Sequence, residues 1–500
     1  MNPWKKLALP GLVCSALMPA GCGTVAPWRE AKDEEASKTA MRAIDEGLPA
    51  IVQASATTDV SEKPDALFAS DTILDLGGAL ELAGVDSPTI NLAREAVREA
   101  IARQEMAEAM WLPSLLGGAN VRVHRGNLQQ GTGGITNVDT QGLFFGSGAW
   151  AVGSGTVTIP GVRLFYPLAD TILEPRAARE QVMSRGADSV GVRNATMLEV
   201  TTAYLELVAA NASLNALRLS EAEFAELSRL TEDQAKVGQG RSGDANRAKA
   251  NLEMLRRQIK EAEGEQLAAT ARLAGLLSLD PSGRLSVPTT TPAAVRLFAE
   301  ETDLDSLMGQ SLLARPEIAA RSADVAEANT RWRQESLRPW LPTISLGFSA
   351  GGFGGGSTRT TSSFGSFDSR TDLDVYAVWT LRNAGAGNRA LQQQTMARIG
   401  QTTANLEGVR QQVKREVSEA YAQLTAAASR MATAKTQLAT AEDGYAAEKA
   451  RTKQPEWRPL EAIDSARQLQ ESRLEMIRAI TDHNLAQFRL LVAVGRPPVP

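Results

Sequence analysis

The sequence predicts a mainly α-helical chain built as two copies of one unit, each copy also carrying membrane-type β-strands. Three observations lead there. Long stretches rich in Ala, Gln, Glu and Arg keep a coiled-coil period, short stretches alternate with a period of two, and both recur in the same order in each half. The tripeptide WLP marks the switch of period each time, in EAMWLPSLL from Glu108 and in LRPWLPTIS from Leu337.

Composition sets the frame. In 500 residues aromatics make up only 5%, which suits extended helices burying a narrow seam of small side chains rather than several large cores. The net charge is −5, with both signs interspersed along the helices, so no basic face for a phosphate backbone is present and nucleic acid is not an expected partner. The only histidines are His124, in an expected strand, and His483, in the last helix. No metal-ligand spacing and no nucleophile with a base appear, so an enzyme is not expected, nor is a metal or other cofactor.

The chain starts MNPWKKLALPGLVCSALMPAGC: Lys5 and Lys6, a short apolar run, then small residues before Cys22. That is the anatomy of a signal peptide over 1–21, too short and Pro-broken to span a bilayer. Cleavage there would leave Cys22 first in the mature chain. PAGC resembles the bacterial lipobox, with Pro19 in place of the usual aliphatic residue. The resemblance implies a covalent lipid on Cys22 and, because Gly23 is not Asp, an outer-membrane lipoprotein. An incidental cysteine behind an ordinary signal peptide is the other reading. Residues 22–70 are polar and aperiodic, as in an extended leader.

Two repeats follow, at 71–290 and 291–500. TILDLGGALELAGVDSPTI from Thr72 parallels TDLDSLMGQSLLARPEI from Thr302, and in each a helix of about six turns leads into WLP. VTTAYLEL from Val200 matches VSEAYAQL from Val417. Apolar or small residues at 200, 204, 207 and 214, interrupted by Asn211, and at 417, 421, 424, 428 and 431 define heptad seams. A long helix in an ordinary bundle would show the same seam. Long helical hairpins are expected over about 176–279 and about 388–495.

Strands lie between the helices, in hairpins over about 115–168 and 343–381. Val121 and Val123 alternate with Arg122 and His124, Val157 and Ile159 precede Val162, Leu164 and Tyr166, and Ile344, Leu346 and Phe348 alternate with polar residues. Leu373, Val375, Ala377 and Trp379 do the same, giving four strands of bilayer-crossing length joined by loops at about 126–155 and 351–370. Soluble hairpins packed on the helices would read alike. Four strands cannot close a barrel, and an open edge in lipid leaves backbone groups unsatisfied, so several copies must combine. Twelve strands from three copies leave a polar passage where eight would be filled. Trp111, Pro113, Trp340 and Pro342 then sit where helix becomes membrane strand: the prolines stop the helix, and tryptophan favours the interface.

From Thr72 onward the order of these features resembles the TolC-like outer-membrane efflux factors. The resemblance implies a homotrimer whose α-helical barrel continues a 12-stranded β-barrel, four strands per protomer, in a Gram-negative outer membrane. It also implies a passive exit duct of a tripartite efflux or secretion system, with a periplasmic adaptor and an inner-membrane transporter as partners. Carried over by position, Val237, Gly238, Gly240 and Arg241 of the first tip would contact the adaptor. In PLEAID, Glu461 and Asp464 would line the periplasmic aperture. The second tip departs from the family by lacking a glycine turn. The glycines would equally serve as a helix cap, and Glu461 as a helix-start charge. A periplasmic coiled-coil lipoprotein acting as scaffold or adaptor is the alternative function.

Overall fold

The computed structural model describes residues 74–129, 132–148, 162–280, 285, 287, 292–299, 302–357, 367–452 and 458–498. The signal peptide, Cys22 and the leader lie outside them, and all described residues fall in one compact unit, Glu62–Pro500. Each repeat opens with a short helix capped alike. α1 (Leu76–Asp86) follows Asp75, whose carboxylate accepts from Gly78 N at 2.8 Å, and α5 (Leu304–Ala314) follows Asp303, which accepts from Ser306 N at 3.1 Å. Next come α2 (Pro88–Glu108) and α6 (Pro316–Leu337), both with proline in the first turn.

The long helices are α3 (Leu168–Lys236) and α7 (Ala386–Arg451), of 69 and 66 residues, so each extends about 100 Å. α3 begins earlier than the sequence indicated and runs through Pro175, because burial of Ala169, Thr171, Leu173, Ala177 and Ala178 holds the helix on both sides of the lost donor. The return helices are α4 (Ser242–Leu276) and α8 (Pro459–Ala493). Along α3 the seam residues Val200, Tyr204, Leu207 and Leu214 are buried. So is the interrupting Asn211, whose amide oxygen accepts from Gln266 Nε2 on α4 at 2.6 Å.

Between α2 and α3 lie β1 (Ser114–Gln129), β2 (Ile135–Gly148) and β3 (Val162–Pro167); between α6 and α7 lie β4 (Thr343–Ser357) and β5 (Asp368–Val378). The expected loop at 126–155 is therefore corrected. β1 continues to Gln129, and β2 fills 135–148 with Asn137–Asn127 and Gln129–Ile135 pairings that close a tight hairpin. Glycine and threonine hid the alternation there, and ladder hydrogen bonding outweighed weak propensity. The second loop is likewise shorter than 351–370, since the glycine-rich run Gly351–Ser357 pairs with β2. Val157 and Ile159 lie outside the described residues.

β2 and β3 share one line in the sheet. Gly148 and Val162 face Leu116 and Leu115 on β1, and Ser349 and Phe348 on β4, so they take consecutive ladder positions although 13 residues, 149–161, separate them. All neighbours are antiparallel, and β1 and β5 are the edges of this four-line sheet.

Candidate functional site

The two WLP segments are built differently and serve alike. After α2 a single 3₁₀ turn, Ala109–Trp111, ends at Leu112 in an extended conformation (φ −89°, ψ 148°). The backbone restriction that Pro113 places on Leu112 accounts for it. After α6 the chain turns with Trp340 N and Leu341 N both donating to the Leu337 carbonyl, at 2.9 and 3.1 Å. The Pro342 carbonyl then accepts from Leu168 N at 3.3 Å, satisfying one of the orphan donors at the start of α3.

An aromatic side chain from the returning strand clasps each junction. Tyr166 Oη donates to the Trp111 carbonyl at 3.0 Å with the rings 5.6 Å apart, and Trp379 Nε1 donates to the Trp340 carbonyl at 3.2 Å. Both WLP tryptophans are solvent-exposed in the single chain, at 50% and 78%. The same side of the sheet carries apolar ladders: Leu164, Leu346 and Val375 lie abreast, as do Phe348 and Leu373. Leu373 and Val375 are each 67% exposed, an apolar face with no cover among the described residues.

Below the sheet, α3 and α6 are joined by a ladder of charges that the sequence reading missed. Asp170 accepts from Arg338 Nη2 and Nη1 at 2.6 and 2.8 Å, Glu174 pairs with Arg331, and Asp188 accepts from Arg321 Nη2 at 2.7 Å. Burial works against these guanidinium charges, yet the carboxylates facing them outweigh it and hold all three above the ordinary arginine range.

The first tip is a helix stop made by glycine. Gly238 has φ +75°, Gln239 N and Gly240 N both donate to the Gln234 carbonyl at 3.0 and 3.1 Å, and a Cβ on Gly240 would sit 3.2 Å from Ala235 N. Beside it Val237 is exposed and Arg241 precedes α4 as its N-cap. At the second tip Glu461 and Asp464 share an exposed face of the first turns of α8. Each is paired three positions away, Glu461 with Arg458, the N-cap of α8, at 3.1 Å and Asp464 with Arg467 at 2.7 Å. Near the tips Tyr445 is buried, and burial with the nearby Glu223 and Glu226 carboxylates pushes its phenol up to about 12.

No helix among the described residues is long and apolar enough to cross a membrane, and none of them form a cluster of three or more metal-binding side chains. Residues 307–496 match the sequence model of the outer membrane efflux protein family. The whole arrangement superposes on the outer-membrane channel OprN with a TM-score of 0.70 at 17% identity, covering 90% of this chain and 99% of that one. The fold is similar to that of TolC-like outer-membrane channels, and the C-terminal part carries the efflux-protein sequence pattern. The CmeC outer membrane channel of Campylobacter jejuni gives a TM-score of 0.68 at 15% identity over 89% of this chain and 94% of that one. In sequence, protein CyaE of Bordetella pertussis is 26% identical over 356 residues, 70% of this chain and 69% of CyaE.

Proposed function

We propose that this TolC-like chain is the exit duct of a tripartite efflux or secretion system, passing substrates from the periplasm across the outer membrane without chemistry of its own. One observation carries the reading: an open four-line sheet with a bare apolar face is continuous, through Leu168 N on the Pro342 carbonyl, with a helix of 69 residues. Such a sheet is stable in lipid only when its edges are paired, so β5 of one copy must meet β1 of another. Three copies give the 12 strands that leave a passage, and the helices α3, α4, α7 and α8 of three copies wall its continuation. The scaffold or adaptor alternative has no support in this fold.

Within that duct Cys22 is the lipid attachment point, and the partners are an adaptor and an inner-membrane transporter. Val237, Gly238, Gly240 and Arg241 offer the adaptor one exposed apolar side chain on a rigid turn. Glu461 and Asp464 narrow the periplasmic end, bringing six carboxylates toward one axis. Reconstitution into planar bilayers tests the whole: the purified protein should give discrete cation-preferring conductance steps, and Glu461→Ala with Asp464→Ala should enlarge the steps and weaken the preference. Protein that extracts as a monomer with the soluble periplasmic fraction would overturn the duct.

A further inference from the structure

The segment that joins the two repeats crosses α8 as a strap. Leu277 and Val287, before the strap, are buried in one core cluster with Val200, Leu207 and Leu485, whereas Phe298 packs against another, formed by Leu307, Val413, Val417 and Leu490. Residues 292–299 form neither helix nor strand, so their backbone groups must find partners elsewhere. Two buried amides of α8 supply them. Asn484 Oδ1 accepts from Val295 N and Asn484 Nδ2 donates to the Ala293 carbonyl, both at 2.8 Å, while Gln487 Oε1 accepts from Leu297 N and from Phe298 N, both at 3.1 Å. Asn484 and Gln487 are 1% and 4% exposed, so water does not stand in for these bonds.

One turn earlier in α8 lies His483, which is also buried. The strap fixes the hydrogen-bonding sense of the whole group. With Gln487 Oε1 engaged by two N–H donors, the other end of that amide can only donate, and the atom it reaches is His483 Nε2 at 3.4 Å. That ring nitrogen must offer a lone pair, which puts the single proton of the neutral imidazole on Nδ1. Nδ1 is buried without a hydrogen-bond partner. Neither ring nitrogen therefore meets an acceptor. The site takes the neutral ring and opposes the imidazolium, whose second N–H would point at the N–H of Gln487.

The charged groups around the ring are paired or exposed. On α3 the register set by Arg473 against Ser220 and Glu223 brings Asn211 level with His483, and Asn211 is neutral and bonded to Gln266. On α4 the register of Gln258 against Gln470 brings Arg272 to this level, where Glu206 of α3 holds it at 2.6 Å. On α7 the charge at this height is Arg430, which pairs with Asp482 at 3.4 Å. The carboxylate next to the ring in sequence is thus turned to Arg430 rather than to the imidazole. Arg296 of the strap and Arg478 and Arg489 of α8 are exposed.

We infer that His483 is a proton-sensitive latch on the strap between the repeats. Neutral, the ring receives the Gln487 amide and keeps Leu297 and Phe298 tied to α8; protonated, it turns that amide away and frees them. The latch works within a single chain, so it stands apart from the duct reading and from the number of copies. Its sign follows from the form the site accepts. Histidine changes charge between about pH 5 and 8, so the strap is held at the upper end of that range and let go as the pH falls through it. Release withdraws Phe298 from the cluster that holds α5 against α7 and α8, and acid slackens the join between the two repeats.

Hydrogen exchange read by mass spectrometry tests the latch on the full chain in detergent, with exchange times scaled for the intrinsic effect of pH. Peptides covering 292–299 should be protected at about pH 8 and exchange about tenfold faster at about pH 5, the factor that loss of one or two buried hydrogen bonds gives. Peptides from the middle of α3 should stay protected at both. His483→Gln offers Gln487 a carbonyl acceptor at every pH and should keep the strap protected in acid. Three results would each overturn the latch: equal protection of the native strap at both ends of the range, a midpoint below about pH 5 as a carboxylate gives, or the same acid opening in His483→Gln. The titration of the native chain needs no substitution, so it decides the matter even if the variant folds poorly.

Discussion

The indole of Trp379, just beyond β5, donates to the carbonyl of Trp340 at 3.2 Å and so ties the last strand to the point where the second repeat leaves its helix. Tyr166 does the same for Trp111 from a different strand end and a different side chain. A carbonyl freed by a proline-terminated helix needs a donor. Trp379→Phe and Tyr166→Phe should each cost about 1 kcal/mol of stability, read as a lower melting temperature in detergent micelles. Unchanged melting in both variants would mean that the junctions are held by the ladders alone.

Arg338 is the most heavily engaged side chain below the sheet, with hydrogen bonds to both Asp170 and Glu335. Arg338→Ala leaves two carboxylates facing each other at a part-buried site and should destabilise by about 2 kcal/mol. Adding Asp170→Asn should recover part of the loss, since it removes one of the uncompensated charges. A double variant no more stable than Arg338→Ala would argue against the pairing as the source.

Between β5 and α7 the chain passes Asn383 and Ala384 with φ of +50° and +55°. Alanine gains nothing from that left-handed region. Ala384→Gly should therefore raise stability by about 1 kcal/mol, and Gly238→Ala at the first tip, where φ is +75°, should lower it by a similar amount. Urea unfolding of the detergent-solubilised protein would show the opposite shifts in midpoint.

Tyr445 gives a pH dependence with a defined sign. Its phenol is pushed up to about 12 from an unfolded value near 10, chiefly by burial. The neutral form is the one the fold prefers, so the contribution is constant below about pH 10 and is lost as pH rises toward 12. Burial raises the Tyr204 phenol as well, so absorbance titration near 295 nm should show a late tyrosine step that Tyr445→Phe reduces without abolishing, and the same variant should lessen the alkaline loss of stability.

Much of this architecture was legible because long helices and Pro-terminated switches leave strong periodic marks. The seam from Val200 to Leu214, the return helices and the entry points at Trp111 and Trp340 could all be placed from spacing. β2 could not, since ITNVDTQGLFFGSG carries too many small and polar residues for alternation to stand out, and its strand state is imposed by β1 and β4. The charge ladder between α3 and α6 was invisible for another reason: Asp170 and Arg338 are 168 positions apart, and only docking brings them together. At the tips the glycines 238 and 240 were read both as contact residues and as a cap. The geometry shows the cap plainly, and it shows Glu461 and Asp464 paired with Arg458 and Arg467 beside them.

The shared line of β2 and β3 makes Gly148 and Val162 a splice point. Because they occupy neighbouring rungs against both β1 and β4, residues 149–161 can be exchanged, lengthened or removed without changing the register of any strand. The first repeat can therefore vary there freely while its wall keeps one design, and a foreign peptide inserted between Gly148 and Val162 would be carried by the protein as a passenger.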